Sequence, residues 1–114
     1  MHYLLLHCVE EAFEDHPDLP GELEASLREW LAETDARGVY VDGSRLQPAR
    51  IAKTVRVRGG ELLVTDGPFA ETKELVAGYD ILDCAHLDEA LEIAARHVTA
   101  IIGSIEVRPV LEAS

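Results

Sequence analysis

Three hydrophobic patterns alternate along this chain, and each predicts a different kind of element. Tyr3 to Val9 is an apolar run broken only by His7, the pattern of a central strand buried on both faces. Glu10 to Pro20 is acidic and holds two prolines, so it reads as a loop. Leu23, Leu27, Trp30 and Leu31 then recur at helical spacing with charged residues between them, which predicts an amphipathic helix ended by Gly38. Val39-Tyr40-Val41 is a short strand running into a turn at Asp42-Gly43. Lys53 to Arg58 alternates with period two, Gly59-Gly60 is a two-residue hairpin signal, and Leu62-Leu63-Val64 returns. After a polar loop from Asp66 to Glu74, Tyr79 to Cys84 reads as another strand. Leu87, Ala90, Leu91, Ala94 and Val98 mark a second helix. Its start is weak, because His86 stands where Ser, Thr, Asp or Asn would cap. Gly103 to Leu111 is the last strand.

This order implies one α+β domain over residues 1–114: two split βαβ units in a ferredoxin-like sandwich, with an extra β-hairpin and both helices on one face of an antiparallel sheet. The first strand then lies between the Tyr79 and Glu106 strands, antiparallel to both. Helices cover one sheet face only, yet the strands are apolar on both. A second copy of the chain is the simplest cover, and a homodimer is expected. Cys8 and Cys84 fall at opposite ends of the sheet in this order, so no bond between them is expected.

Charge narrows the function. The chain carries 22 acidic and 10 basic residues, a net charge of −12. That field repels phosphate backbones and anionic membranes, so neither nucleic acid nor a membrane surface is an expected partner. Residues 1–38 are the most acidic. Arg45 to Arg58 holds five basic residues and no acid, which marks either an anion site or a set of partners for acidic neighbours. The opening Met1-His2-Tyr3-Leu4 has no basic leader and no apolar run of membrane length, so a cytoplasmic protein with reduced thiols is expected.

The most distinctive string is Thr65-Asp66-Gly67-Pro68-Phe69-Ala70-Glu71-Thr72-Lys73-Glu74. With Gly78-Tyr79, Leu87-Asp88-Glu89-Ala90-Leu91, Glu106-Val107-Arg108-Pro109-Val110, the opening Tyr3-Leu4-Leu5-Leu6 and the Asp42-Gly43…Leu46-Gln47-Pro48 segment, the sequence resembles the YCII-related family in its Asp-Gly-Pro-Phe branch. The resemblance implies a dimeric α+β barrel of two ferredoxin-like protomers with a cleft between or beside them. It also implies relatives that act on aromatic-ring breakdown products through a His–Asp pair, and a genetic link of many members to extracytoplasmic-function sigma factors. His86, where Ser or Asp is more usual, and His97-Val98, where Pro is expected nearby, depart from the pattern.

Asp66 is physically odd. An Asp usually folds its carboxylate onto the N–H two residues later, and here that residue is Pro68, which has none. It therefore serves either in a rigid turn anchoring Phe69 or as an acid–base or orienting carboxylate. His7 is the sole histidine within a predicted central strand, and it is either a satisfied core imidazole or the base. His2, His16 and His97 read as surface residues. Strand order brings His7, Tyr79, Glu106 and the Asp66–Lys73 loop towards one end of the sheet. Lys73 joins local charge pairing with Glu71 and Glu74, or holds ligand. Arg108 shares a face with Glu106, which predicts an ion pair first and a ligand-carboxylate site second. The sequence expectation is therefore His7 and Asp66 as catalytic pair, with Tyr79, Lys73 and Arg108 holding a small molecule and no cofactor or metal. The resulting activity is a lyase or isomerase moving a proton on an acidic or cyclic substrate. The alternative is a non-catalytic regulatory or binding protein, linked to a sigma factor.

Overall fold

A computed structural model of the chain describes residues 1–14, 19–68 and 74–112. It is an α+β arrangement of antiparallel strands and few helices. Strand β1 (His2–Glu10) leads into a short helix α1 (Glu11–Glu14), where the acidic stretch had suggested only loop. Helix α2 (Gly21–Ala36) ends as its sequence predicts. Gly38 takes φ +71°, and the N–H groups of Gly38 and Val39 return to the carbonyls of Asp35 and Thr34.

Strands β2 (Tyr40–Arg45), β5 (Glu74–Asp83), β1 and β6 (Ser104–Pro109) hydrogen-bond in the order β2-β5-β1-β6. β1 is central and antiparallel to both neighbours, with His7 opposite Gly78 on β5 and Ile105 on β6. β3 (Lys53–Arg58) and β4 (Glu61–Asp66) form a separate two-stranded ribbon, turned by Gly59 and Gly60 at positive φ. Lys53 there pairs with Asp66, so this part of the basic stretch meets an acid.

The burial of β1 alternates strictly. Tyr3, Leu5, His7 and Val9 are buried, while Leu4, Leu6 and Cys8 between them are half-buried. A continuous apolar run therefore does not mean equal burial on both faces, because the helices cover one face only. On that face Leu5, Leu82, Trp30, Ala90, Ile93 and Ala94 form the core. Trp30 closes it by donating its indole N–H to the Ile93 carbonyl at 2.9 Å.

Helix α3 (Leu87–Ala95) does have a cap. His86 Nδ1 accepts the N–H of Glu89 at 3.2 Å, taking the part of the expected Ser or Asp. The helix stops short of Val98, and a second short helix α4 (Thr99–Ile102) follows. The cysteines are both free, Cys8 near the Val76 end of β5 and Cys84 past its other end. No helix among the described residues is long and apolar enough to cross a membrane.

Candidate functional site

The site grows from the polar residues that β1 and β5 turn towards the helices. Alternation places Tyr3, Leu5 and His7 on that face of β1, and the register sets Leu82, Asp80 and Gly78 opposite them on β5. His7 and Asp80 are both buried, and His7 Nε2 stands 2.6 Å from Asp80 Oδ2. The other carboxylate oxygen accepts the Tyr40 hydroxyl at 3.2 Å. Burial, reinforced by the Asp80 carboxylate, pushes the Tyr40 phenol up to about 12, so it stays a donor.

Room for the carboxylate comes from Gly43. A Cβ there would lie 2.0 Å from Asp80 Oδ1 and 2.6 Å from the Tyr40 oxygen. The Asp42-Gly43 pair that reads as a turn is instead part of β2, with a register shift between Tyr40 and Asp42 and Gly43 opposite Asp80. This glycine serves a close approach, not a bend.

The chain between α3 and α4 adds the third ring. His97 is buried, and its ring centroid lies 4.2 Å from that of His7 and 4.6 Å from that of Trp30, which meets it edge-on. Its Nδ1 accepts the Thr99 N–H at 3.0 Å. Burial, with a smaller contribution from His7, lowers His97 to about 4 against the opposing pull of Asp80, so the ring is neutral near pH 7.

These groups border a cavity of about 290 Å³, whose walls include Leu27, Leu31, Val98 and Ile102 on the apolar side and Tyr40, Ser44 and Arg45 on the polar side. His7 Nδ1 is fully buried and has no hydrogen-bond partner among the described residues. In the neutral tautomer that donates Nε2–H to Asp80, Nδ1 carries the ring's lone pair, the form required of a base. His7, Asp80 and His97 also bring three potential ligand atoms within 4.8 Å of one another. They do not suit a metal. The Nδ1 lone pair of His97 is taken by Thr99, so the neutral ring carries its proton on Nε2 and neither nitrogen is free to ligate.

The residues expected from the sequence are dispersed. His7 is in the site. Tyr79 contributes to the cavity wall, but the pleat sends its side chain to the face opposite Asp80. Asp66 ends β4 on the separate ribbon, is exposed, pairs with Lys53 and is not among the cavity-lining residues; the acid partner of His7 is Asp80. The Thr54 hydroxyl donates to the Gly67 carbonyl at 2.7 Å, and Gly67 N–H returns to Ala52, so the turn after Asp66 is pinned from β3. Arg108 pairs with Glu106 at 2.6 Å on the exposed side of β6, as the spacing predicted. Lys73, Phe69 and Glu71 lie outside the described residues.

Asp80, Tyr40 and His97 escaped sequence reasoning. The signal for Asp80 was present: an acid within a strand predicted to pair with β1, sharing the parity of Leu82. The sequence pattern puts Leu87 and Leu91 on the helix's inner face, but both are exposed; the buried face is Ala90, Ile93 and Ala94, and His97 follows on that face just past the end of α3.

The family model described as the YCII-related domain matches residues 1–114. Over 68 residues the chain is 50% identical to an uncharacterised protein of Rhizobium meliloti (strain 1021), an alignment covering 58% of this chain and 55% of that protein. The match thus spans about half the length of that relative.

Proposed function

The chain belongs to the YCII-related domain family, and on that premise we propose that it is a cofactor-independent acid–base enzyme, a lyase or isomerase acting on a small, largely apolar molecule. One observation carries the reading: a buried His7–Asp80 contact of 2.6 Å at the wall of a largely apolar cavity, with His7 Nδ1 left without a hydrogen-bond partner among the described residues. His7 takes a proton from the ligand. Asp80, oriented by Tyr40, holds the ring in the Nε2–H tautomer and balances the positive charge that develops. Positioned proton transfer of this kind contributes roughly 10² to 10⁴ in rate. In this reading the carboxylate that positions His7 is Asp80, and Asp66 belongs to the ribbon.

The fold reading that accompanies this is ferredoxin-like, from the order β6-β1-β5-β2 with the ribbon inserted between β2 and β5. A homodimer completes it. The ribbon leaves Val55, Val57, Leu62 and Val64 exposed, and an isolated two-stranded ribbon is barely stable in water. A second copy would supply the missing cover.

The test is deuterium exchange, in D2O, into a panel of small cyclic and carbonyl compounds. Asp80→Asn should slow exchange by about 10²-fold or more, and Asp66→Asn should leave it unchanged. The reverse pattern in folded variants would move the acid back to Asp66. A wild-type protein that binds such compounds without exchange would favour the non-catalytic binding reading.

A further inference from the structure

His97 is the one ring of the site whose proton is placed by the backbone. Thr99 N–H points into Nδ1 at 3.0 Å, and the site keeps the ring neutral, so its single proton sits on Nε2. The ring cannot easily turn away, being held between the His7 face at 4.2 Å and the Trp30 edge at 4.6 Å. Asp80 Oδ2 stands 3.9 Å from this Nε2, beyond hydrogen-bond reach. His97 also lines the cavity. Among the described residues the site therefore presents a directed N–H without a hydrogen-bond acceptor, next to the His7 ring.

We propose that His97 donates its Nε2–H to the oxygen of a carbonyl-bearing ligand, and that the site enolises small, mostly apolar carbonyl compounds. This rests on His7 as the base and names what that base acts on. The apolar wall of Leu27, Leu31, Val98 and Ile102 receives the hydrocarbon body. His7 Nδ1 takes the proton from the carbon next to the carbonyl. The C–H electron pair becomes a C=C bond, and the C=O π pair moves onto oxygen, where the His97 N–H meets the developing negative charge. In D2O the proton held on His7 Nδ1 is first replaced by solvent deuterium, and its return to the same carbon gives exchange; return to another carbon gives an isomer, so no further reactant is consumed. A neutral imidazole suits this donor role, because a charged one would tend to give its proton away and leave the oxygen protonated.

The experiment uses the full chain with cyclohexanone as probe. In the free protein, nitrogen-15 NMR of the histidine side chains should place the His97 proton on Nε2 at pH 7; a proton on Nδ1, or a charged ring, overturns the proposal. The infrared carbonyl band of bound cyclohexanone should shift to lower frequency in the wild type and in His7→Phe, lose that shift in His97→Phe, and regain part of it in His97→Gln, whose amide N–H reaches a similar position. Exchange of the ketone's α-protons should fall about 10²-fold in His97→Phe. An unshifted band in the wild type, an unchanged band in His97→Phe, or no binding of cyclohexanone at millimolar concentration overturns it. Loss of exchange in His97→Phe with exchange intact in His7→Phe removes the base and leaves the donor, while the opposite pattern removes the donor and leaves the base. If His97→Phe does not fold, the tautomer of the wild-type protein decides.

Discussion

The four-stranded sheet and the β3–β4 ribbon draw on the same β-forming residues and end in opposite circumstances. On the sheet, Leu5 and Leu82 are 0% exposed under the helices; on the ribbon, Val55 and Leu62 are 62% and 64% exposed. The charged groups divide in the same way. On the ribbon, Asp66 and Lys53 meet in open solvent, where an ion pair contributes about 0–1 kcal/mol. Under the helices, His7 and Asp80 meet where water is excluded and an unmet polar group is costly. The residue types are similar in the two places, and cover makes the difference. Cover keeps the acid–imidazole contact out of bulk water, and its absence leaves the apolar side chains of the ribbon exposed.

The comparison breaks most visibly at the wall that supplies the cover. Trp30 packs edge-on against His97 and Tyr40 and ties α2 to α3 through Ile93. Trp30→Ala should lower stability by about 3–5 kcal/mol in denaturant unfolding, and a loss under 1 kcal/mol would show that the helices are held by something else.

Acidity tests the same cover without a mutation. His97 titrates at about 4 in the folded protein against an ordinary 6.5. Above pH 6.5 neither folded nor unfolded chain carries this proton. Between 6.5 and 4 the unfolded chain takes it and the folded chain does not, so stability falls as the pH drops through that window. The loss is at most about 3 kcal/mol. In His97→Gln this component of the slope should disappear from unfolding midpoints measured between pH 7 and 4. An unchanged slope would mean that His97 titrates normally.

A smaller effect is expected at Gly43. Gly43→Ala forces a methyl group against Asp80 Oδ1 and the Tyr40 oxygen, so a cost of about 1–3 kcal/mol is expected, together with loss of the Tyr40–Asp80 hydrogen bond. Titration of the Tyr40 phenol by ultraviolet absorbance should then move down from about 12. The smallest intrinsic effect belongs to the ribbon. Val57→Ser should change the stability of the single chain by about 0.5 kcal/mol or less. If the ribbon is covered by a second copy, the same change should shift light-scattering mass from two chains towards one. A wild-type chain that is monomeric at micromolar concentration would end the dimer reading.

Much of the fold was legible because it depends on local rules. The Gly59-Gly60 hairpin, the Gly38 stop and the period of α2 each need only a few neighbouring residues. The strand order followed from the sequence of elements, and β1 does lie between the Tyr79 and Glu106 strands, antiparallel to both. The site was less legible because its remaining members are set by register and by a helix end. Asp80 joins His7 only through the β1–β5 pairing, and His97 because it follows the buried face of Ala90, Ile93 and Ala94 past the end of α3. Asp66 drew attention through an unusual local motif, yet local oddity does not bring a residue to a cavity. Gly43 misled for a related reason, since a glycine cleared for a neighbouring carboxylate and a glycine in a turn look alike in sequence.

The His7–Asp80 pair is tested most directly by nitrogen-15 NMR of the His7 side chain in wild type, Asp80→Asn and Asp66→Asn. The expected result is a neutral ring protonated on Nε2, with a downfield hydrogen-bonded proton that disappears in Asp80→Asn and persists in Asp66→Asn. A ring protonated on Nδ1, or a proton lost with Asp66 and retained without the Asp80 carboxylate, would contradict the account.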